Sequence, residues 1–376
     1  MKNTNLPNMA KEFLKGLLLG TFVTLVLVGL MLASVLNVHA AQSRVVEIEY
    51  SNALSRAISR NPDTSPLDLE ARRAAARARA NLAEFLALTG SGDYREQAEA
   101  AYGQRLINLA ESNRLQGELA RIAASTELAL RNHIANIARQ ESQIANLTLN
   151  LDINERMLEQ TLLRHQHGMA STAEITDAEL ALEQTHLNLA TLQLQLANER
   201  QSLNRLIHHT ITQNTQIIYD VHDIPPITAE MRTDRLISRQ TNSYPTVQHW
   251  QDQVEVRRFE WQRQLNDPRV DNAQMRLQLD LAHIELNMAE TLAELGIRNL
   301  FAEWDRLLEQ ENSLQMALAQ AQSDYADMQE RFAAGLVTEI QVEMLALAVT
   351  MRETELALHD YNFWIARFRI EHPYAR

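Results

Sequence analysis

The chain has 376 residues, a formal net charge of −13 and no cysteine. Disulfides, thiolate metal sites, cysteine nucleophiles and a lipoprotein anchor are thereby excluded. Aromatic residues are only 5% of the chain and glycines number 10, while Leu, Ala, Glu, Gln and Arg dominate, a mix that reads as long helices rather than a sheet-rich globule.

In chain order, Lys2, Lys11 and Lys15 come first and are the only lysines; beyond them every Lys/Arg position is arginine. Gly16 to Ser43 then carries no formal charge, and its centre, Leu17 to Leu36, is apolar enough and long enough to span a bilayer. The basic flank, 1–15, places the N-terminus in the cytoplasm and the remainder outside. The run ends in Val38-His39-Ala40-Ala41, an acceptable cleavage site, so residues 16–40 read either as a transmembrane anchor or as a signal peptide. Both fates export residues 41–376.

The first repeat, 41–209, opens with Ala53 to Pro62, ending in Asn-Pro, and a charged helix over about 67–88. No proline occurs from Leu67 to Asp223, and Gly168 is the only glycine between Glu118 and Asp223. Before Gly168, Leu130, Ile137, Ile144, Leu151 and Leu158 recur in steps of seven; after it, Ile175, Leu182, Leu189, Leu196 and Leu203 do the same. A seven-residue apolar repeat keeps one seam on a partner helix and imposes a left-handed supercoil. A polar linker, 210–228, follows, with one strand-like run, Gln216 to Val221, and then Pro225-Pro226. The second repeat, 229–376, begins with Leu236 to Pro245, ending in Tyr-Pro, and a charged helix over about 247–265. Leu300, Leu307, Leu314, Ala321 and Met328 precede Gly335, the only glycine after Gly296; Val342, Val349, Leu356, Phe363 and Ile370 follow it. Four helices of about 45–60 residues, roughly 70–90 Å each, are expected to pair as two antiparallel hairpins.

The two turns match. Arg164, Gly168, Met169 and Ser171 recur as Arg331, Gly335, Leu336 and Thr338, 167 residues on. The pattern predicts a helix closed by a left-handed glycine, then a helix N-capped by Ser171 or Thr338. The arginine suits the closing helix dipole.

With its duplication, its Asn-Pro and Tyr-Pro openings, its Asp-Ile-Pro-Pro linker and its two Arg-x-x-x-Gly-[Met/Leu]-x-[Ser/Thr] tips, the chain resembles the TolC-type outer-membrane efflux proteins over nearly all of residues 45–376. The resemblance implies an all-α protomer with minimal β. Three copies would form an α-helical cylinder whose tips dock a periplasmic or extracytoplasmic adaptor (membrane-fusion) protein working with an inner-membrane pump. One departure stands out. The family inserts a β-hairpin in each repeat to build a barrel, and membrane strands need about 9–11 residues each. Thr89 to Tyr94 and Asn266 to Asn272 leave no room for such pairs, so the N-terminal segment is expected to supply the membrane attachment instead.

Other residues read as ordinary. His165 and His167 in the first tip, with His208 and His209, read as polar loop rather than a metal site, and no cofactor is expected. Glu174 and Asp177 read as a solvated helix face rather than a pore mouth. Trp250, Trp261, Trp304 and Trp364 read as interhelical packing rather than a membrane belt. No phosphate loop, His-Glu-x-x-His or nucleophile elbow is present, so the chain is not read as an enzyme. An acidic chain without a basic stripe argues against nucleic acid. The tip residues Met169 and Leu336 are the exception, since apolar side chains at an exposed apex suggest a partner. The expected function is an efflux or secretion duct of the cell envelope, docked through Arg164, Gly168, Met169, Ser171, Arg331, Gly335, Leu336 and Thr338. The competing reading is a non-transporting coiled-coil scaffold or spacer. An adaptor is disfavoured, because adaptors carry one hairpin flanked by β-rich modules.

Overall fold

A computed structural model describes residues 45–89, 94–210, 214–219, 221, 225–265 and 272–375. The segment 16–40 lies outside the described residues, and no helix among those described is long and apolar enough to cross a membrane. The chain divides into two units. In the smaller, residues 1–48 and 212–216, two short strands pair: β1, Val46–Glu49, and β2, Thr215–Ile218, their last residues reaching beyond the unit. The Val46 N–H donates to the Asn214 carbonyl at 2.9 Å. The strand-like signal over Gln216 to Val221 therefore settles slightly earlier and shorter than expected. β1 has no counterpart in the sequence reading, because four residues give too little alternation to register.

The larger unit, residues 49–211 and 217–376, holds every helix among the described residues. The first repeat contributes α1 (Tyr50–Ser59), α2 (Thr64–Thr89), α3 (Arg95–Gln166) and α4 (Thr172–Leu206). The second contributes α5 (Asp234–Asn242), α6 (Pro245–Gln264), α7 (Asn272–Ala333) and α8 (Glu339–Glu371), after a short 3₁₀ turn, Ala229–Arg232. Each repeat thus runs short helix, arm helix, long helix, return helix. The length of about 45–60 residues expected for each hairpin helix is wrong. α3 has 72 residues and α7 62, against 35 for α4 and 33 for α8. The long helices continue past the end of the hairpin to pack on the arms α2 and α6, so each is spent on two partners in succession. At ~1.5 Å per residue α3 is about 108 Å long.

The heptads do what the sequence pattern dictates. In α4 the buried or half-buried positions include Ile175, Ala178, Leu182, Thr185, Leu189, Leu192, Leu196, Glu199 and Leu203, an alternation of threes and fours, with Arg200, Ser202, Asn204 and Leu206 joining them at the C-terminal end. Polar members of the seam are satisfied across it: Asn154 Nδ2 donates to Thr185 Oγ1 at 2.9 Å, and Glu199 Oε1 takes both His133 Nδ1 at 2.9 Å and Asn136 Nδ2 at 3.0 Å. An unmade bond in such a seam would cost more than a made one contributes.

The second hairpin packs an apolar cluster against its short helix α5. Ile237, Ile297, Leu300, Phe301, Trp304, Leu307, Phe363, Ala366 and Ile370 form one buried cluster. The Trp304 and Phe363 rings lie 4.9 Å apart. Trp304 is buried, Trp364 sits beside Arg131, and Trp250 packs on Val247, Ala289 and Ala293, so these tryptophans are interhelical packing.

A second junction ties the repeats together. Arg131 of α3 stands 4.5 Å from the Trp364 ring and 4.4 Å from the Phe368 ring of α8. It donates to Glu127 at 2.8 Å, to the Tyr50 hydroxyl at 3.1 Å and to the Trp364 carbonyl at 3.1 Å. One guanidinium thereby joins α1, α3 and α8, a use of its planar fork that lysine cannot reproduce. Burial pushes the Tyr50 hydroxyl well above the usual tyrosine range.

Between Thr89 and Arg95 five residues separate α2 from α3, and between Gln264 and Asn272 seven separate α6 from α7. Residues 90–93 and 266–271 themselves lie outside the described set. The helix bounds alone leave too little chain for two membrane strands at either place.

Candidate functional site

The hairpin tips are built by the same local chemistry twice. α3 ends in a Schellman motif: Met169 N–H donates to the Arg164 carbonyl at 2.8 Å and Gly168 N–H to the His165 carbonyl at 2.8 Å. α7 repeats it, with Leu336 N–H on Arg331 O at 2.9 Å and Gly335 N–H on Phe332 O at 2.8 Å. The hinge residues have φ of 72° at Gly168 and 73° at Gly335, the left-handed region in which a β-carbon is strained. Nothing lies within 4 Å of where that carbon would sit, so the requirement for glycine is conformational rather than steric.

The next helices begin as the sequence predicts. Glu174 N–H donates to Ser171 Oγ at 3.2 Å, and Ser171 N–H returns a bond to Glu174 Oε2 at 2.6 Å, a complete capping box. The Ser171 backbone N–H holds the Glu174 carboxyl below the usual carboxylate range, with smaller help from the Ser171 hydroxyl and Arg164. In the second tip Thr338 N–H donates to Gln341 Oε1 at 2.9 Å, so the residue that reaches back is neutral. Glu174 thus serves the cap.

The first tip is further closed by its own side chains. Arg164 Nη2 donates to the Met169 carbonyl at 3.3 Å, and His165 Nδ1–H donates to the Ala170 carbonyl at 2.8 Å. His165 is therefore engaged in the turn, and among the described residues no cluster of three or more His, Asp or Glu side chains could hold a metal ion.

What the turn chemistry leaves over is apolar surface. Met169 is 62% exposed and Leu336 75%. An apolar residue after the left-handed glycine is usual in a Schellman motif, where it packs back on the helix. Here both side chains stay mostly in solvent, joined by Phe332, also exposed, in the second tip. The structure brings Arg164, Gly168, Met169 and Ser171 together at one apex, and Arg331, Gly335, Leu336 and Thr338 at another. Near that end of the hairpins α3 and α8 are tied by Arg156, whose Nη1 donates to Glu343 at 2.5 Å while Nη2 meets Asp152. The sequence reading missed this bridge; no spacing rule links positions 156 and 343.

No family model matches the chain, and no curated protein matches it in sequence. Solved structures do match in three dimensions. The outer membrane protein VceC of Vibrio cholerae superposes with a TM-score of 0.54 at 12% identity, covering 86% of this chain and 95% of that one. The CmeC outer membrane channel of Campylobacter jejuni gives 0.58 at 11% identity over 86% and 85%, and CusC, described with its transmembrane channel formation, 0.60 at 13% over 88% and 93%. The chain has the TolC-type fold. Identities this low carry the fold and not the roles of individual residues.

Proposed function

We propose that the chain is the protomer of a TolC-type efflux or secretion duct of the cell envelope. Three copies enclose an α-helical conduit, and the hairpin tips dock an extracytoplasmic adaptor protein that links the duct to an inner-membrane pump. The observation that carries the docking reading is the pair of equivalent apices, each presenting an apolar side chain, Met169 or Leu336, that its own turn does not cover. The fold shared with proteins described as outer membrane channels supports the conduit. Residues 16–40 attach the chain to a membrane or direct its export before cleavage. The second reading, a non-transporting scaffold, draws on the short spacers between α2 and α3 and between α6 and α7, which leave no room for barrel strands.

The test is the combined variant Met169→Asp, Leu336→Asp. Both side chains lie outside the heptad seams, so helicity and Tm should stay at the wild-type level. Adaptor co-purification and export should be lost, with about 2 kcal/mol or more removed from the interface. A double variant that still exports normally would refute tip docking and favour the scaffold.

A further inference from the structure

Although the chain carries a net charge of −13, two of its arginines share a cleft in which no carboxylate pairs with them. α3 and α7 both pack on α8, and the three helices border a cavity of about 300 Å³. α3 brings Asn132 and Arg139 to it, α7 brings Arg306 and Gln310, and α8 brings Asn362. One carboxylate, Glu303, also lies on this cavity, but Arg369 Nη1 donates to both of its oxygens at 2.9 Å. Arg139 and Arg306 make no ion pair with any described residue.

An arginine in solvent is ordinary; here the donors are held in place from behind. Arg139 Nη1 donates to Asn136 Oδ1 at 3.0 Å, and Asn136 Nδ2 donates in turn to Glu199 Oε1 at 3.0 Å. On the other side His359, which is buried, places Nε2 at 2.9 Å from the Leu307 carbonyl. A carbonyl only accepts, so Nε2 carries the proton and Nδ1 is left to accept from Asn362 Nδ2 at 3.3 Å. Donors oriented in advance, beside a carboxylate that is already neutralised, suit an anion. The cavity adjoins a second, of about 450 Å³, through the shared Arg139, Gln310 and Asn362. Leu314, Met351 and Leu358 line that part, and its carboxylate, Glu355, is again held, by Arg352 Nη1 at 2.6 Å.

We propose that these joined cavities bind a small organic phosphomonoester. The phosphate dianion lies between Arg139 and Arg306, and the organic part runs along Leu314, Met351 and Leu358. Two guanidiniums match a dianion; a carboxylate, with one charge, would leave one of them without a partner. The site is complete within one chain, so it stands apart from the duct reading.

Phenyl phosphate titrated by calorimetry into the full-length chain in mild detergent should bind saturably, one per chain. Inorganic phosphate, which lacks the organic part, and phenylacetate, a monoanion, should each bind about tenfold or more weaker. Arg139→Gln and Arg306→Gln should each weaken phenyl phosphate about tenfold or more at unchanged helicity. Asn132→Asp keeps both arginines and sets a carboxylate at an exposed position of the rim, and it should weaken binding as much. Arg72→Gln removes the same charge from an exposed pair on α2 and should change nothing. Absence of saturable binding overturns the site, as does a loss in Arg72→Gln equal to that in Arg139→Gln, which would mean general charge attraction. Equal affinity for phenylacetate overturns the dianion assignment, and equal affinity for inorganic phosphate overturns the role of the apolar cavity.

Discussion

Arg131 offers the sharpest quantitative test of how the two repeats are held together. Its replacement by alanine removes contacts to two ring faces, each worth about 0.5–1 kcal/mol, and the partner of a largely sequestered Glu127. Breaking a fully buried pair costs about 3–5 kcal/mol; here the side chains are 14% and 19% exposed and Glu127 keeps its bond from Tyr50 at 2.9 Å, so the charge contribution is smaller. Together the change should destabilise by about 2–4 kcal/mol. Urea unfolding followed by circular dichroism should show the midpoint falling with an unchanged slope. Arg131→Lys keeps the charge but loses the fork, and should fall between wild type and alanine. Arg298, the equivalent position in the second repeat, pairs with Glu294 and Asp234 in solvent, so Arg298→Ala should barely move the same transition at dilutions where chains are separate. A loss below about 1 kcal/mol at Arg131 would mean that the cluster behaves as an exposed ion pair, and the reasoning from its burial would fail.

Three further outcomes follow from the tips and the core. Gly335→Ala should cost about 1 kcal/mol through its left-handed φ alone, and Gly335→Asn less, measured as the Tm difference; equal stability of both with wild type would argue against a strained turn. Glu174 has a folded pKa below its unfolded value, so its contribution to the first tip is present above the unfolded pKa and lost as pH falls through the folded one. Amide protection at Ser171 should therefore drop in acid relative to Thr338, whose partner Gln341 does not titrate, and Glu174→Gln should abolish the difference. Trp304→Ala should cost about 3–5 kcal/mol by opening a cavity among Ile297, Leu307 and Phe363, read by urea titration.

Much of this architecture is written in local patterns. The heptads through Leu203 and Ile370 set the hairpin seams, and the glycine, hydroxyl and apolar residues of each tip specify a Schellman turn followed by a capped helix. Those signals are local because hydrogen bonds in a helix and its caps join residues three to five apart. Helix length was misjudged for a related reason. Nothing in Arg95 to Ser125 marks where α3 exchanges its arm partner α2 for α4, since a continuous helix needs no punctuation there. The junctions between repeats were equally hidden: Arg131 with Trp364, and Arg156 with Glu343, are separated by more than 180 positions, and only packing brings them together. Of the tips, sequence gave the turn and the exposure of Met169 and Leu336; which protein covers them depends on a surface outside this chain.

The duplication also leaves two kinds of joint with opposite responses to their surroundings. Inside each chain, α3 and α8 are bound partly by charge, through Arg131 and the exposed bridge from Arg156 to Glu343. The joint of α5 with the second hairpin, around Trp304 and Phe363, is apolar. Added salt screens exposed ion pairs, whereas salting-out anions strengthen apolar burial and cooling weakens it. A chain held by both kinds of joint would not soften evenly. Dilute buffer in the cold would loosen the Trp304 cluster and leave the clasp near the tips tight, while concentrated sulfate would tighten that cluster just as the clasp relaxed.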